Sequence, residues 1–294
     1  MAAERVHVIG ASGRSGGALC RALLGAGRVV VPVVRHAGRW AAAGLDASPR
    51  LADLGDPDAL AAALGDAAVV VSCAHARHAA PILAAAPARA RFVLLGSTRR
   101  FTRWPDAHAA GVIEGEAAFL ASGRAGVMLH PTMIYGADGE DNVQRLAALL
   151  RRLPVVALPG GGTALVQPIQ QDDVTRAVLA AIDHPWDAPR TLVIAGPTPL
   201  PYADFVRAVA FAAGLRPPRI VALPGRMLVA LAPLLGRLPF LPRVRTAEVR
   251  RLLEDKAFDT APMRQCLGVT PMSLADGLAR TFARPHNGRV SAGA

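Results

Sequence analysis

The residues that most clearly suggest chemistry stand near the N-terminus. "GASGRSG" spans residues 10–16, between the apolar run "RVHVI" and an Ala/Leu-rich stretch. Glycines at 10, 13 and 16 after a strand and before a helix suit a phosphate-cradling loop. One glycine makes the tight turn, one lets the backbone approach a pyrophosphate, and one allows close helix-to-strand packing. The phosphates would sit at the helix N-terminus, where unpaired N–H groups and the helix dipole favour negative charge. Gly10, Ser12, Gly13, Arg14, Ser15 and Gly16 are therefore expected to hold a dinucleotide. About twenty residues on, where an NAD site usually carries an Asp or Glu, stands "VVRHAGR" with Arg35 and Arg39. An arginine fork accepts a 2′-phosphate that a carboxylate would repel. Arg35, helped by Arg14 in the loop, predicts NADP(H) in preference to NAD(H). Asp53 closes the third strand and Leu54 follows it, at the place where such folds contact the adenine.

Three further groups could move or orient a proton. His108 titrates near neutrality as a free side chain; the alternative is a histidine at a helix start. Tyr135 could donate a proton or simply pack. Ser97, with Thr98, ends the fifth strand, where a hydroxyl can orient a carbonyl or touch the cofactor. Arg99 and Arg100 face either an acidic ligand or water.

These residues need a scaffold of strands that deliver them to one edge. Val/Leu/Ile runs occur at 5–9, 28–34, 50–53, 68–73, 91–96, 126–130 and 191–196. Continuous apolar runs of this length predict a parallel sheet buried on both faces. Helical patterns lie between them. One places Ala18, Leu19, Ala22 and Leu23 on one face, and another has Asp56 as N-cap with Pro57 in the first position. The fold class is a doubly wound α/β sheet. Residues 1–150 form its core, completed by elements within 165–197. Residues 198–284 read as a smaller, mostly helical cap without a legible polar constellation, and 285–294 as a disordered tail.

With these residues placed, the chain resembles the extended short-chain dehydrogenase/reductase superfamily, a Rossmann fold, and particularly its atypical members. The resemblance rests on "GASGRSG", "LLGSTRRFT" (94–102), "HPTMIYG" (130–136), "VQPIQQDDVTRAV" (166–178) and "LGVTPMSLADGLART" (267–281). "STRRFT" and "PTMIYG" are similar to the NAD(P)H-binding accessory subunit of respiratory complex I and its bacterial relatives. The resemblance implies that Ala74, Pro131, Thr132 and Ser97 join the cofactor contacts, with "HPTMIYG" beside the nicotinamide. It also implies a catalytic Tyr followed four residues later by a Lys, which this chain lacks. The two tyrosines, Tyr135 and Tyr202, precede Gly139 and Val206 at that spacing, and Lys256 is the only lysine among 33 Lys and Arg residues. At the expected place the chain has His108 and Val112, with Glu114 and Glu116 following. The resemblance thus implies a cofactor-binding structural, sensor or assembly protein of respiratory metabolism. The alternative is an NADPH-dependent reductase or sugar-nucleotide epimerase with substituted acid/base groups.

Composition narrows the remaining classes. The net charge is +11, but the arginines are scattered and few aromatics are available to stack bases, which argues against nucleic acid as a partner. Cys20, Cys73 and Cys266 fit no metal spacing. No apolar run reaches the ~18 residues of a membrane span. "MLVALAPLLG" (227–236), flanked by Arg226 and Arg237, is a candidate for peripheral membrane contact at most. The first strand begins too early to leave room for a signal peptide, which predicts a cytoplasmic protein.

Overall fold

A computed structural model describes residues 4–137, 141–225, 227 and 251–283. The chain begins with β1 (Arg5–Ile9), α1 (Arg14–Gly25), β2 (Val29–Val34), α2 (Ala37–Ala41), β3 (Arg50–Leu51), α3 (Pro57–Leu64) and β4 (Val69–Ser72). It continues with α4 (Ala79–Ala85), β5 (Arg91–Leu95), α5 (Ala107–Ala121), β6 (Gly126–Pro131), β7 (Ile134–Tyr135) and α6 (Asn142–Leu150). Then come β8 (Val155–Pro159), β9 (Leu165–Val166), β10 (Ile169–Gln170), α7 (Gln171–Asp183), β11 (Pro189–Ile194), β12 (Leu200–Pro201), α8 (Tyr202–Ala212) and β13 (Arg219–Leu223). Two further described helices are α9 (Ala261–Leu267) and α10 (Leu274–Ala283).

The seven expected strands join one sheet in the order β11-β6-β5-β4-β1-β2-β3, and all its pairs are parallel. Alternation along each strand feeds two cores. Val6, Val8, Val69, Val71, Val93 and Leu129 pack with Leu19 and Leu23 of α1 and Val174 and Val178 of α7. Ile9, Val70, Phe92 and Leu94 pack with Leu60 and Leu64 of α3, Ile82 of α4 and Phe119 of α5. A strand buried on both faces has no polar side to show, and this produces the continuous apolar runs. The chain winds outward from β1 to β3, then from β4 to β11. The switch point lies between β1 and β4, and a crevice forms beyond the C-terminal strand ends there.

Local signals account for the helix starts. Asp56 accepts hydrogen bonds from the backbone N–H groups of Asp58 (3.1 Å) and Ala59 (3.0 Å), with Pro57 in the first turn. Such a cap contributes about 1 kcal/mol. The buried face of α1 is centred on Gly16, Leu19, Cys20 and Leu23, whereas Ala18 and Ala22 are only half-buried.

Short strand pairs decorate the sheet: β7 with β10, β8 with β13, and β9 with β12. The β8–β13 pair brings residues 219–223 of the expected cap alongside 155–159, so that region is not helical throughout. Helices α8 and α10 pack on one another, while α9 lies against β11 and α7. The apolar stretch 228–236 and the tail 285–294 lie outside the described residues. Among the described residues, no helix is long and apolar enough to cross a membrane, and no group of three or more His, Cys, Asp or Glu is placed to hold a metal ion.

Candidate functional site

The glycine loop leaves β1 through Gly10, whose φ of +75° is one that other residues rarely adopt. Gly13 donates its N–H to the Gly10 carbonyl at 2.8 Å. Gly16 is fixed by closeness: a Cβ there would lie 2.2 Å from the Gly10 oxygen. Helix α1 starts after Gly13 with no side-chain cap, so its first-turn N–H groups are not met by a capping side chain. Ser15 donates to Gln171 Oε1 at 3.1 Å, tying the loop to α7.

Beyond this loop, a cavity of about 200 Å³ is lined by Gly10, Ser12, Arg35, Asp53, Leu54 and Ala74, all expected from the sequence, and by His36, Arg39 and His78. Arg35 donates through Nε to His36 (3.1 Å) and lies 4.0 Å from Asp53. Arg14 does not line the cavity. Its guanidinium lies 3.6 Å from Asp141, at the entry to α6, whereas Arg35 and Arg39 both line the cavity.

A second cleft, about 350 Å³, opens at the ends of β5 and β6. Its lining includes Ser97, Thr98, Phe101, Thr132, Tyr202 and Lys256. Ser97 Oγ accepts the Arg99 N–H at 3.2 Å, which leaves its hydrogen available to another acceptor. Thr98 Oγ1 donates to the Pro131 carbonyl at 3.1 Å. Thr132 Oγ1 is buried and has no hydrogen-bond partner among the described residues. Burying a hydroxyl without a partner costs about 1–3 kcal/mol, so this orphan at the place expected beside the nicotinamide fits a bound group. The uncapped α1 N-terminus, the glycine cradle and Thr132 together fit a dinucleotide running from one cavity to the other.

The other acid/base candidates stand elsewhere. Tyr135 is 1% exposed and packs with Val143, Phe205 and Leu278. Burial, with the nearby Asp173 and Asp276 carboxylates, holds its phenol above the ordinary range, and it does not line the cleft. His108 stands in the first turn of α5 and is bonded to His75: His75 Nε2 and His108 Nδ1 are 3.0 Å apart. The Arg77 backbone N–H donates to His75 Nδ1 at 3.1 Å, so the proton of neutral His75 sits on Nε2 and is given to His108. Burial, then the charge of His108, pushes His75 down to about 4. Burial and Arg99 lower His108 while Asp106 opposes them. Val112, at the expected lysine position, is a core residue.

Behind Ser97, Arg100 Nε faces neither an acidic ligand nor water but the buried Glu116, beside His130, a meeting that no spacing in the sequence indicates. His130 Nδ1 accepts the Ser97 N–H at 3.1 Å. Its Nε2 is 3.3 Å from the Glu116 carboxylate, which also meets Arg100 Nε at 2.5 Å. Burial, then Arg100, pushes His130 down to about 4. Burial raises Glu116 while Arg100 lowers it. Gly96 makes room for the ring, since a Cβ there would lie 2.4 Å from His130 Nδ1.

Lys256 and Tyr202 were also not expected here. They lie far from Ser97 in sequence, and the 251–258 segment reaches the cleft only through tertiary bonds. Glu254 accepts from Thr102 Oγ1 at 2.8 Å, and Gln167 Oε1 accepts the Phe258 N–H at 2.7 Å. The cap region thus contributes a polar group that its sequence does not make legible. Arg251, Glu254, Asp255 and Lys256 all line the cleft.

Residues 10–118 match the model of a family described as NAD(P)H-binding. Several solved structures superpose over almost the whole chain. An NADPH-dependent quinone oxidoreductase from Escherichia coli, complexed with NADPH, is 19% identical with a TM-score of 0.74, covering 94% of this chain and 99% of that one. A nucleoside-diphosphate-sugar epimerase from Pseudomonas aeruginosa is 19% identical at 0.72, covering 95% and 96%. A UDP-glucuronic acid 4-epimerase from Bacillus cereus, in complex with UDP-glucuronic acid and NAD, is 17% identical at 0.72, covering 95% and 98%. The chain shares their fold. No curated protein matches it. Residues 10–118 thus carry an NAD(P)H-binding domain of the Rossmann type, and the two cavities lie where that domain presents its strand ends.

Proposed function

We propose that the protein is an NADP(H)-dependent oxidoreductase that reduces a small acceptor in the cleft bounded by Ser97, Thr132, Tyr202 and Lys256. The observation that carries this reading is the cleft itself. A space of about 350 Å³ opens at Ser97, Thr98 and Thr132, the strand ends at which the nicotinamide is expected. Bound NADPH would supply a hydride there. Arg35 would receive the 2′-phosphate, with Arg39 and His36 lining the same cavity. Ser97 would donate its hydroxyl hydrogen to an acceptor oxygen. Its own backbone is held by His130.

The site has no Tyr/Lys pair on α5. An acceptor whose reduction gives a stabilised oxyanion, such as a quinone or a conjugated carbonyl, suits it best, because water can complete the protonation. The E. coli structure's activity toward quinones supports this choice. A second reading is favoured by Val112 at the lysine position and by His108 being engaged with His75. On that reading the chain is a cofactor-binding sensor, structural or assembly protein, as the resemblance to the complex I accessory subunit implies.

Following NADPH oxidation with a panel of quinones, conjugated carbonyls and nucleotide sugars separates the two. Turnover with a quinone or conjugated carbonyl is expected. NADPH binding with no turnover of any acceptor selects the second reading, and failure to bind NADPH removes both.

A further inference from the structure

We infer that the acceptor cleft is built for a ligand carrying an acidic group, and that Lys256 receives that group. The inference deepens the oxidoreductase reading and rests on it for the position of the cofactor.

The charged lining consists of Arg99, Arg103, Arg251 and Lys256 against Glu254 and Asp255. Both carboxylates are engaged by the protein. Glu254 accepts from Thr102 Oγ1 and from the Arg103 N–H at 2.5 Å, and Asp255 accepts the Leu165 N–H at 2.8 Å. Arg251 is paired with Asp106 at 2.7 Å. Lys256 is placed differently. Its backbone N–H donates to the Leu165 carbonyl at 2.8 Å, which fixes the residue in the cleft wall. Its ammonium donates to the Arg251 carbonyl at 2.5 Å, and it is part of no ion pair with a carboxylate of the described residues.

An ammonium has three hydrogens to donate, and this one has a single neutral acceptor in a half-buried place. Burial is the main force lowering its pKa, with Glu254 opposing. A cation held at that cost gains from an anion that brings two oxygens to it. The rest of the wall sets the body of the ligand. Phe101, Tyr202 and Phe258 line the same cleft, with the two phenylalanine rings 5.6 Å apart. A flat, apolar body with one acidic substituent, either carboxylate or phosphate, matches this surface.

The competing explanation is that Lys256 only closes the 251–256 turn through the Arg251 carbonyl. Lys256→Gln tests it, because the amide can still donate that bond but carries no charge. Benzoate, phenyl phosphate and the neutral isostere benzamide are titrated by calorimetry into the full chain, with NADP⁺ saturating and again without it. At least one anion should bind about tenfold or more tighter than benzamide, the scale of a hydrogen bond to a charged group. That preference should vanish in Lys256→Gln and persist in Lys256→Arg, with NADP⁺ affinity unchanged in both. Preference for benzoate points to a carboxylic acid and preference for phenyl phosphate to a phosphate ester; both support the inference. Equal affinity for all three probes, no binding of any, or an undiminished preference in Lys256→Gln would overturn it. Failure of NADP⁺ to bind would instead defeat the oxidoreductase reading, and the cofactor-free titration still reports the preference.

Discussion

Replacing Gly13 with valine should abolish dinucleotide binding while leaving the fold in place. Gly13 has φ −82° and ψ 176°, extended backbone that valine adopts readily. The nearest atom to an added Cβ is the Gly10 oxygen at 3.1 Å, a tight contact that a shift of a few tenths of an ångström relieves. The stability cost should stay within about 1 kcal/mol. Binding should suffer far more, because the side chain would stand where a pyrophosphate approaches the uncapped start of α1. Losing two charge-assisted bonds costs about 3 kcal/mol or more, which weakens Kd at least about 100-fold. Gly16→Ala provides the contrast: its Cβ would meet Gly10 O at 2.2 Å and Ala11 Cα at 2.9 Å, so it should lose about 1–3 kcal/mol of stability as well as binding. NADPH fluorescence titration and thermal unfolding on the same samples separate the two effects. If Gly13→Val binds NADPH within twofold of the natural chain, the glycine segment is only a turn and the cofactor assignment falls.

Arg35→Asp should narrow or invert the NADPH preference, measured as the ratio of NADPH to NADH Kd, because a carboxylate repels the 2′-phosphate and accepts ribose hydroxyls. Gly277→Ala should destabilise the fold by about 1–3 kcal/mol, since its Cβ would lie 2.0 Å from the Tyr135 hydroxyl; adding Tyr135→Phe should recover part of the loss in a denaturant melt, because the ring Cζ would still lie 2.9 Å from that Cβ. Tyr135→Phe alone should leave NADPH oxidation unchanged. His130 is held at about 4 against an ordinary 6.5, so the unfolded chain takes up a proton first as pH falls. Its stabilising contribution is complete above about 6.5 and is lost between about 6.5 and 4, amounting to at most about 3 kcal/mol. His130→Gln should flatten that part of the stability–pH curve.

The sheet and the adenosine end of the site were legible in the sequence for one reason. Gly10, Arg35 and Asp53 sit at or just past their strand ends, so they come into register once the strands are found, whereas Ala74 is implied only by the family resemblance. The two-residue strands β7, β9, β10 and β12 were not legible, because so short a pair has no periodicity of its own. The acceptor cleft was hidden for a different reason. Lys256 reaches it through bonds from Asp255 and Lys256 to Leu165, about ninety residues away in sequence, and no spacing rule connects them. His75 and His108 stand 33 residues apart and meet only because α5 lies against the turn after β4. A Cβ on Gly115 would fall 1.9 Å from the Ala76 oxygen, so Gly115 is what allows that approach. The sequence gives no sign that Asp141, far along the chain, comes within reach of the Arg14 guanidinium in the loop.

Calorimetric titration of the full chain with NADPH and with NADH tests the central claim most directly. The Arg35 cavity predicts that both bind and that NADPH binds about tenfold or more tighter, the difference one charge-assisted contact makes. Equal affinities, tighter NADH, or no binding of either would contradict it.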